Sequence, residues 1–177
     1  MTDWTRDLVL PNGLVTITPF CLASIGAVTG ALGTPASATW PLASRAIFIP
    51  FRISRSILVL NMFTFNGAVV NGNLDIGLLD AVGTRLVSSG STAQAGINQI
   101  QTLNIADTLV GPGQFYIALA MDNIVGTFFR SNFSAPKVAV VGMLQQVAAF
   151  PLPAAAVFAL GALSYIPVCG LTARSPV

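Results

Sequence analysis

Three long stretches of this sequence, Leu8 to Ser44, Ser56 to Leu74 and Val138 to Ala173, contain no Asp, Glu, Lys or Arg. A chain with so few side chains to face water must either cover much of its surface with other protein or meet lipid. The lipid reading fails on proline. The first stretch carries Pro11, Pro19 and Pro35, and the last carries Pro151, Pro153, Pro167 and the polar pair Gln145–Gln146. A lone spanning helix would leave the backbone groups freed at each break unsatisfied. The segment AAAVFALGALSYI, which follows Pro153, is too short to span. The opening residues MTDWTRDLVLPNG hold two Asp where a secretory signal needs positive charge, an apolar stretch and a cleavage site. No membrane is therefore expected as a partner.

The few charges that exist limit the chemistry. Charged residues make up 8% of the 177, against about 25% in an ordinary soluble domain, and there is neither His nor Glu. The commonest general base and metal ligand near neutral pH is thus missing. The acids are Asp3, Asp7, Asp75, Asp80, Asp107 and Asp122, set against seven Arg and Lys137, for a net charge of +2. That is too small and too scattered for a basic stripe along nucleic acid.

Asp75 and Asp80 lie five apart; Asp80 reads as a turn-opening residue and Asp75 as a solvent-facing strand position. Neither spacing suggests the flanking carboxylates of a glycosidase. Asp107 and Asp122 lack the spaced acids of a calcium loop. The SSGST run has no partner base, and the GPG at 111–113 has no following Lys and helix, so these read as turns. Cys21 and Cys169 stand outside any CxxC motif and without His, and read as buried thiols in preference to a disulfide pair. No catalytic residue, metal site or cofactor is expected.

The middle of the chain reads as strands. Residues 46–53, 56–66, 73–80, 84–89, 98–105 and 114–122 are short and rich in β-branched and aromatic residues, and turn sequences such as NG, DAVG and GPG separate them. Further candidates are 126–133, 137–143 and 157–166, and any helix should be confined to short pieces such as 143–149 or 154–163. In NLDIGLLD the alternation puts Leu74, Ile76 and Leu78 inward, with Asp75, Asp80 and Arg85 on an outer wet face. AIFIPFRI and SILVLNMFTF are apolar on both faces and should be covered on both sides. Pro50, with no ladder donor, belongs at an edge or bulge. The fold class expected is all-β, an antiparallel β-sandwich or jelly roll with an extended N-terminal arm and an apolar C-terminal segment.

Three regions follow. Residues 1–45 hold a strand pair around Pro11-Asn12-Gly13 and then an Ala-, Gly- and Thr-rich piece, either an arm across a neighbour or a surface loop. Residues 46–143 form the sandwich core. Residues 144–177, rich in Ala and Pro, either complete the sandwich or supply an oligomer interface. Residues 46–122 are expected to fold without either flank.

The runs WPLASRAIFIPFRI, NGNLDIGLLDAVGTRLVSSGSTAQAG and VGPGQFYIALAMDN resemble a β-sandwich module of small virion proteins of tailed bacteriophages, of the tail-fibre, appendage or capsid-surface type. The resemblance covers roughly residues 38 to 125. It implies a non-enzymatic structural component, a capsid decoration or tail-fibre protein. Its partners would be sister subunits in a trimer or higher symmetric oligomer and other virion proteins such as the major capsid or tail proteins. Its place would be the virion, assembled in the host cytoplasm. The alternative is a carbohydrate-binding module in which Trp40, Tyr116 or Tyr165 stacks on sugar rings.

Overall fold

The computed structural model describes residues 8–9, 14–17, 36–132, 142–161 and 164–175. The strands are β1 (Leu8–Val9), β2 (Leu14–Ile17), β3 (Ala36–Thr39), β4 (Ala46–Ile53), β5 (Ile57–Phe65), β6 (Asn73–Asp80), β7 (Arg85–Ser88) and β8 (Thr92–Ala93). They continue as β9 (Ile100–Val110), β10 (Gly113–Met121), β11 (Thr127–Asn132), β12 (Leu144–Gln146), β13 (Ala159–Leu160), β14 (Tyr165–Pro167) and β15 (Cys169–Arg174). Among the described residues there is no helix, in 143–149 and 154–161 included, and thus none long and apolar enough to cross a membrane. Residues 23–35 of the piece read as arm or loop, and residues 137–141 of the strand expected at 137–143, lie outside the described residues.

Two antiparallel sheets face each other. One has the order β1-β2-β15-β5-β9, the other β13-β12-β4-β10-β6-β7 with β8 on the end of β6; a small third sheet runs β14-β11-β3. The architecture is a β-sandwich, and the period-two pattern explains it. In β4, Ile47, Ile49, Phe51 and Ile53 point to the main core while Ala46 and Phe48 point the other way. The register sets Ile49, Ile117 and Leu78 in one row across three strands and Ile47, Leu119 and Ile76 in the next. From the facing sheet come Ile57, Val59 and Met62 of β5, Leu103 and Ile105 of β9, and Cys169, Leu171 and Ala173 of β15. Full burial pushes the Cys169 thiol up to about 12, so it is a core residue and no nucleophile. Cys21 lies outside the described residues.

β5 changes faces partway along. Ile57 and Val59 are buried, then Met62 and Thr64, while Leu58, Leu60, Phe63 and Phe65 are half-buried. The switch is a bulge: pairing jumps from Val59 to Asn61 on the sides of both β9 and β15, leaving Leu60 without an opposite residue. The expectation that both faces of this strand are covered is thus corrected for β5, whose outer side chains reach solvent. For β4 both faces are covered. Pro50 sits opposite Tyr116 and beyond Ala46–Phe48, where β12 pairs with β4, so among the described residues its missing donor falls where that flank of the strand has no ladder partner.

The C-terminal strand is not an appendage. β15 lies between β2 and β5, paired with both. Residues 46–122 by themselves are therefore a sandwich with a strand missing from the middle of one sheet, a gap that the expectation of their folding alone does not include.

Candidate functional site

The outer face of the second sheet carries small residues at Ala46, Gly77, Ala118 and Ala120. Across three strands run Phe48, Ala118 and Gly77 in one row, and Ala46, Ala120 and Asp75 in the next. The trough they leave is filled by residues 149–158. Leu152 packs over Gly77, where an added Cβ would meet Val87 O at 2.7 Å and Leu152 Cδ1 at 3.0 Å. Phe158 sets its ring edge-on to Phe48, with centroids 5.0 Å apart, and lies 4.6 Å from the Tyr116 ring. Ala149 and Leu152 are buried there.

Hydrogen bonds fasten this roof to the β6–β7 hairpin. Leu152 N donates to Asp75 Oδ2 at 2.9 Å, Arg85 Nη1 donates to Leu152 O, Arg85 N donates to Ala154 O at 2.9 Å, and Ala156 N donates to Gly83 O at 2.8 Å. Asp75 is fully buried, so its expected solvent-facing position is corrected: the alternation is right, but the outer face is roofed. Asp80 does open the turn, its Oδ1 accepting from Val82 N at 3.0 Å and Thr84 N at 2.8 Å.

Burial raises the pKa of Asp75 above the usual 3.8, against the hydrogen bonds from Leu152 N, Ser88 and Ser89 and the charge of Arg85, which lower it. The folded state therefore holds the Asp75 proton more tightly than the unfolded chain does. Its contribution is fully present below the unfolded carboxyl value and is lost as pH rises through the raised one. Asp75→Asn keeps an acceptor for Leu152 N and removes the ionisation. The variant should gain stability on the wild type as pH rises from near 4 to near 7, as read by urea unfolding at both values.

The end of the sandwich where β6 begins is a second rigid unit. Three loops meet there, 66–72, 94–99 and 122–126, and amide side chains lock them. Asn66, fully buried, donates through Nδ2 to Ala95 O and to Gln101 Oε1 at 2.9 Å, and accepts at Oδ1 from Gln94 Nε2 at 3.2 Å. Gln94 also donates to Thr127 O at 2.8 Å and accepts from Asn71 N at 3.0 Å. Asn123 Nδ2 donates to Asn71 O at 3.1 Å, and Asp122 Oδ2 accepts from Asn73 N and Nδ2 at 3.0 and 3.1 Å. Each loop carries exposed aliphatics at its tip: Val69, then Ile97, then Ile124 and Val125.

The roof side is apolar as well. Val82 and Leu160 are each 79% exposed and Val157 is 72% exposed, with Val147 nearby on the chain leaving β12. Residues 147–160 contain no charge. Both surfaces thus present aliphatic side chains on frames tied by internal hydrogen bonds. Such surfaces can exclude water against another apolar surface. Among the described residues no group of three or more Cys, Asp, Glu or His could hold a metal ion.

The aromatic residues suggested for sugar stacking do not converge. Trp40 is 1% exposed, its ring edge-on to Phe128 at 5.4 Å and its Nε1 donating to Arg45 O at 2.9 Å; neither face is open. Tyr116 is half-buried under Phe158 on the roofed face. Tyr165 belongs to β14, in a different sheet, and its side chain lies outside the described residues. Sequence reasoning looked for charges and rings and passed over Asn66, Gln94, Gln101 and Asn123. The available signal was Asn or Gln beside an aliphatic tip in NGAVVNG, QAGINQ and DNIVG alike.

No family model matches the sequence, and no curated protein matches it. Among solved structures the chain is similar to the infectious bursal disease virus VP2 subviral particle, with 10% identity and a TM-score of 0.33, covering 91% of this chain and 37% of that one. It is similar to the Gx strain of that virus at 11% identity and a TM-score of 0.34, covering 91% and 36%. It is also similar to the T13 viral particle at 10% identity and 0.29, covering 90% and 38%. These neighbours are components of virus particles, and this chain spans little more than a third of their length. Likeness at that level assigns the chain neither family nor function.

Proposed function

We propose that this chain is a non-enzymatic structural component of a virion, assembling as a symmetric oligomer on the capsid or tail of a tailed bacteriophage. The observation that carries the reading is the pairing of scarce charge with exposed aliphatics on two pre-ordered surfaces, the roof side and the loop end. Obligate interfaces have this composition, apolar at the centre and poor in Asp, Glu and Lys. The resemblance of residues 38–125 to a module of phage virion proteins points the same way. Sister subunits and the major capsid or tail proteins are the partners, and no substrate chemistry is assigned.

Quantitative mass spectrometry of density-purified particles tests this. The chain should co-band with the virion at a stoichiometry set by capsid or tail symmetry. A copy number near that of the major capsid protein places it on the capsid, and a far lower one places it on the tail. Its absence from purified particles, with full infectivity retained, would overturn the proposal.

A further inference from the structure

The dipeptide Asn-Gly occurs at 12–13, outside the described residues, and twice on one loop, at 66–67 and 71–72, and the fold treats the two pairs of that loop in opposite ways. We propose that Asn71 is a site of spontaneous deamidation and that Asn66 is protected from it. In the reaction the deprotonated backbone nitrogen of Gly72 bonds to Asn71 Cγ, ammonia leaves, and a five-membered succinimide closes. Water then opens the ring at either carbonyl, giving aspartate or isoaspartate. Water is the sole co-reactant, and glycine at the second position leaves the attacking nitrogen unhindered.

At the second pair the participants are available. Asn71 and Gly72 are exposed, and among the described residues nothing bonds the Asn71 carboxamide or accepts the Gly72 amide proton. The carbonyl of the 71–72 peptide accepts from Asn123 Nδ2 at 3.1 Å, which draws electron density from the Gly72 nitrogen and eases loss of its proton.

At the first pair they are tied up. Asn66 is fully buried, both sides of its carboxamide are bonded, and Gly67 N donates to Thr127 O at 2.8 Å.

The product matters because of where it falls. A carboxylate at 71 joins Asp122 at the loop end and repels it. An isoaspartate also lengthens the backbone between Asn71 N, held by Gln94 Oε1 at 3.0 Å, and Asn71 O, held by Asn123. Both changes loosen and charge a surface otherwise tipped with aliphatics. The loss of association expected as the protein ages rests on the assembly reading; the chemistry at Asn71 does not.

The experiment uses the isolated full chain. It is held folded at mildly alkaline pH, sampled over time and cut with trypsin, and the peptide spanning residues 56–85 carries both pairs. Fragment-ion masses then assign the deamidated position. Asn71 should convert at least about tenfold faster than Asn66, the factor that two unbroken hydrogen bonds provide, and in denaturant the two rates should converge. Asn71→Gln should abolish the early product. Equal rates in the folded chain would overturn the proposal. So would Asn66 converting first, or Asn71 staying intact over a time in which the denatured chain converts fully.

Discussion

Deleting residues 164–177 is expected to unfold the protein. The deletion removes β14 and β15, and with them Ile166, Cys169, Leu171 and Ala173, each at most 1% exposed. Burying an Ile or Leu is worth about 1.5–3 kcal/mol. Their loss, together with the vacated slot between β2 and β5, approaches the roughly 5–15 kcal/mol of net stability that a domain has. Urea unfolding followed by circular dichroism should show no cooperative transition for the truncated chain. Removing residues 1–17 should behave differently, because among the described residues it strips only β1 and β2, at the edge of their sheet; the transition should persist with a lower midpoint. A cooperative transition of unchanged midpoint after the C-terminal deletion would mean that β15 is not part of the folded core.

That contrast shows what was legible in the sequence. NLDIGLLD announces β6 because it alternates and ends in turn chemistry, and AIFIPFRI announces β4 as a short run of β-branched and aromatic residues, so short-range pattern and final fold agree. CGLTAR announces nothing, since its small residues owe their place to a gap between β5 and β2 that no local pattern reveals. Asp75 was misread for a related reason. Alternation says which residues share a face, but not what lies on it, and the Leu152 amide that buries Asp75 comes from 77 residues further on. Trp40 reads as a free aromatic platform until its partner Phe128 is placed against it. In β5, the apolar run Ile57–Leu60 hides the bulge at Leu60, because either parity of such a run is equally apolar.

The candidate surfaces were legible only as a shortage of charge. That 147–160 has no charged residue is plain from the sequence; that Val157 and Leu160 point outward while Leu152 and Ala149 point inward is not. The loop end was still less visible, because its rigidity comes from neutral amides bonded across three loops.

The second large effect follows from those outward side chains. Replacing Val157 and Leu160 together by Asp should leave the monomer's fold intact, since exposed substitutions usually change stability by no more than about 0.5 kcal/mol. In an assembled state the same carboxylates would be desolvated without partners, at a cost of about 2–5 kcal/mol each. For the two together, about 4–10 kcal/mol, that weakens association by about a thousand-fold or more. The pair Ile124→Asp and Val125→Asp makes the same test at the loop end. Size-exclusion chromatography should show at least one double variant shifted to a smaller species while its unfolding midpoint is retained. If both elute with the wild type, neither surface is buried in an assembly. Single Asp75→Asn, Asp80→Asn or Asp122→Asn changes should leave association intact.

Sedimentation velocity of the full chain at micromolar concentration decides whether its exposed apolar surfaces are interfaces. A discrete oligomer or concentration-dependent association is expected, abolished or weakened by aspartate at the roof side or the loop end. A single, soluble monomer that persists across the concentration range would contradict it.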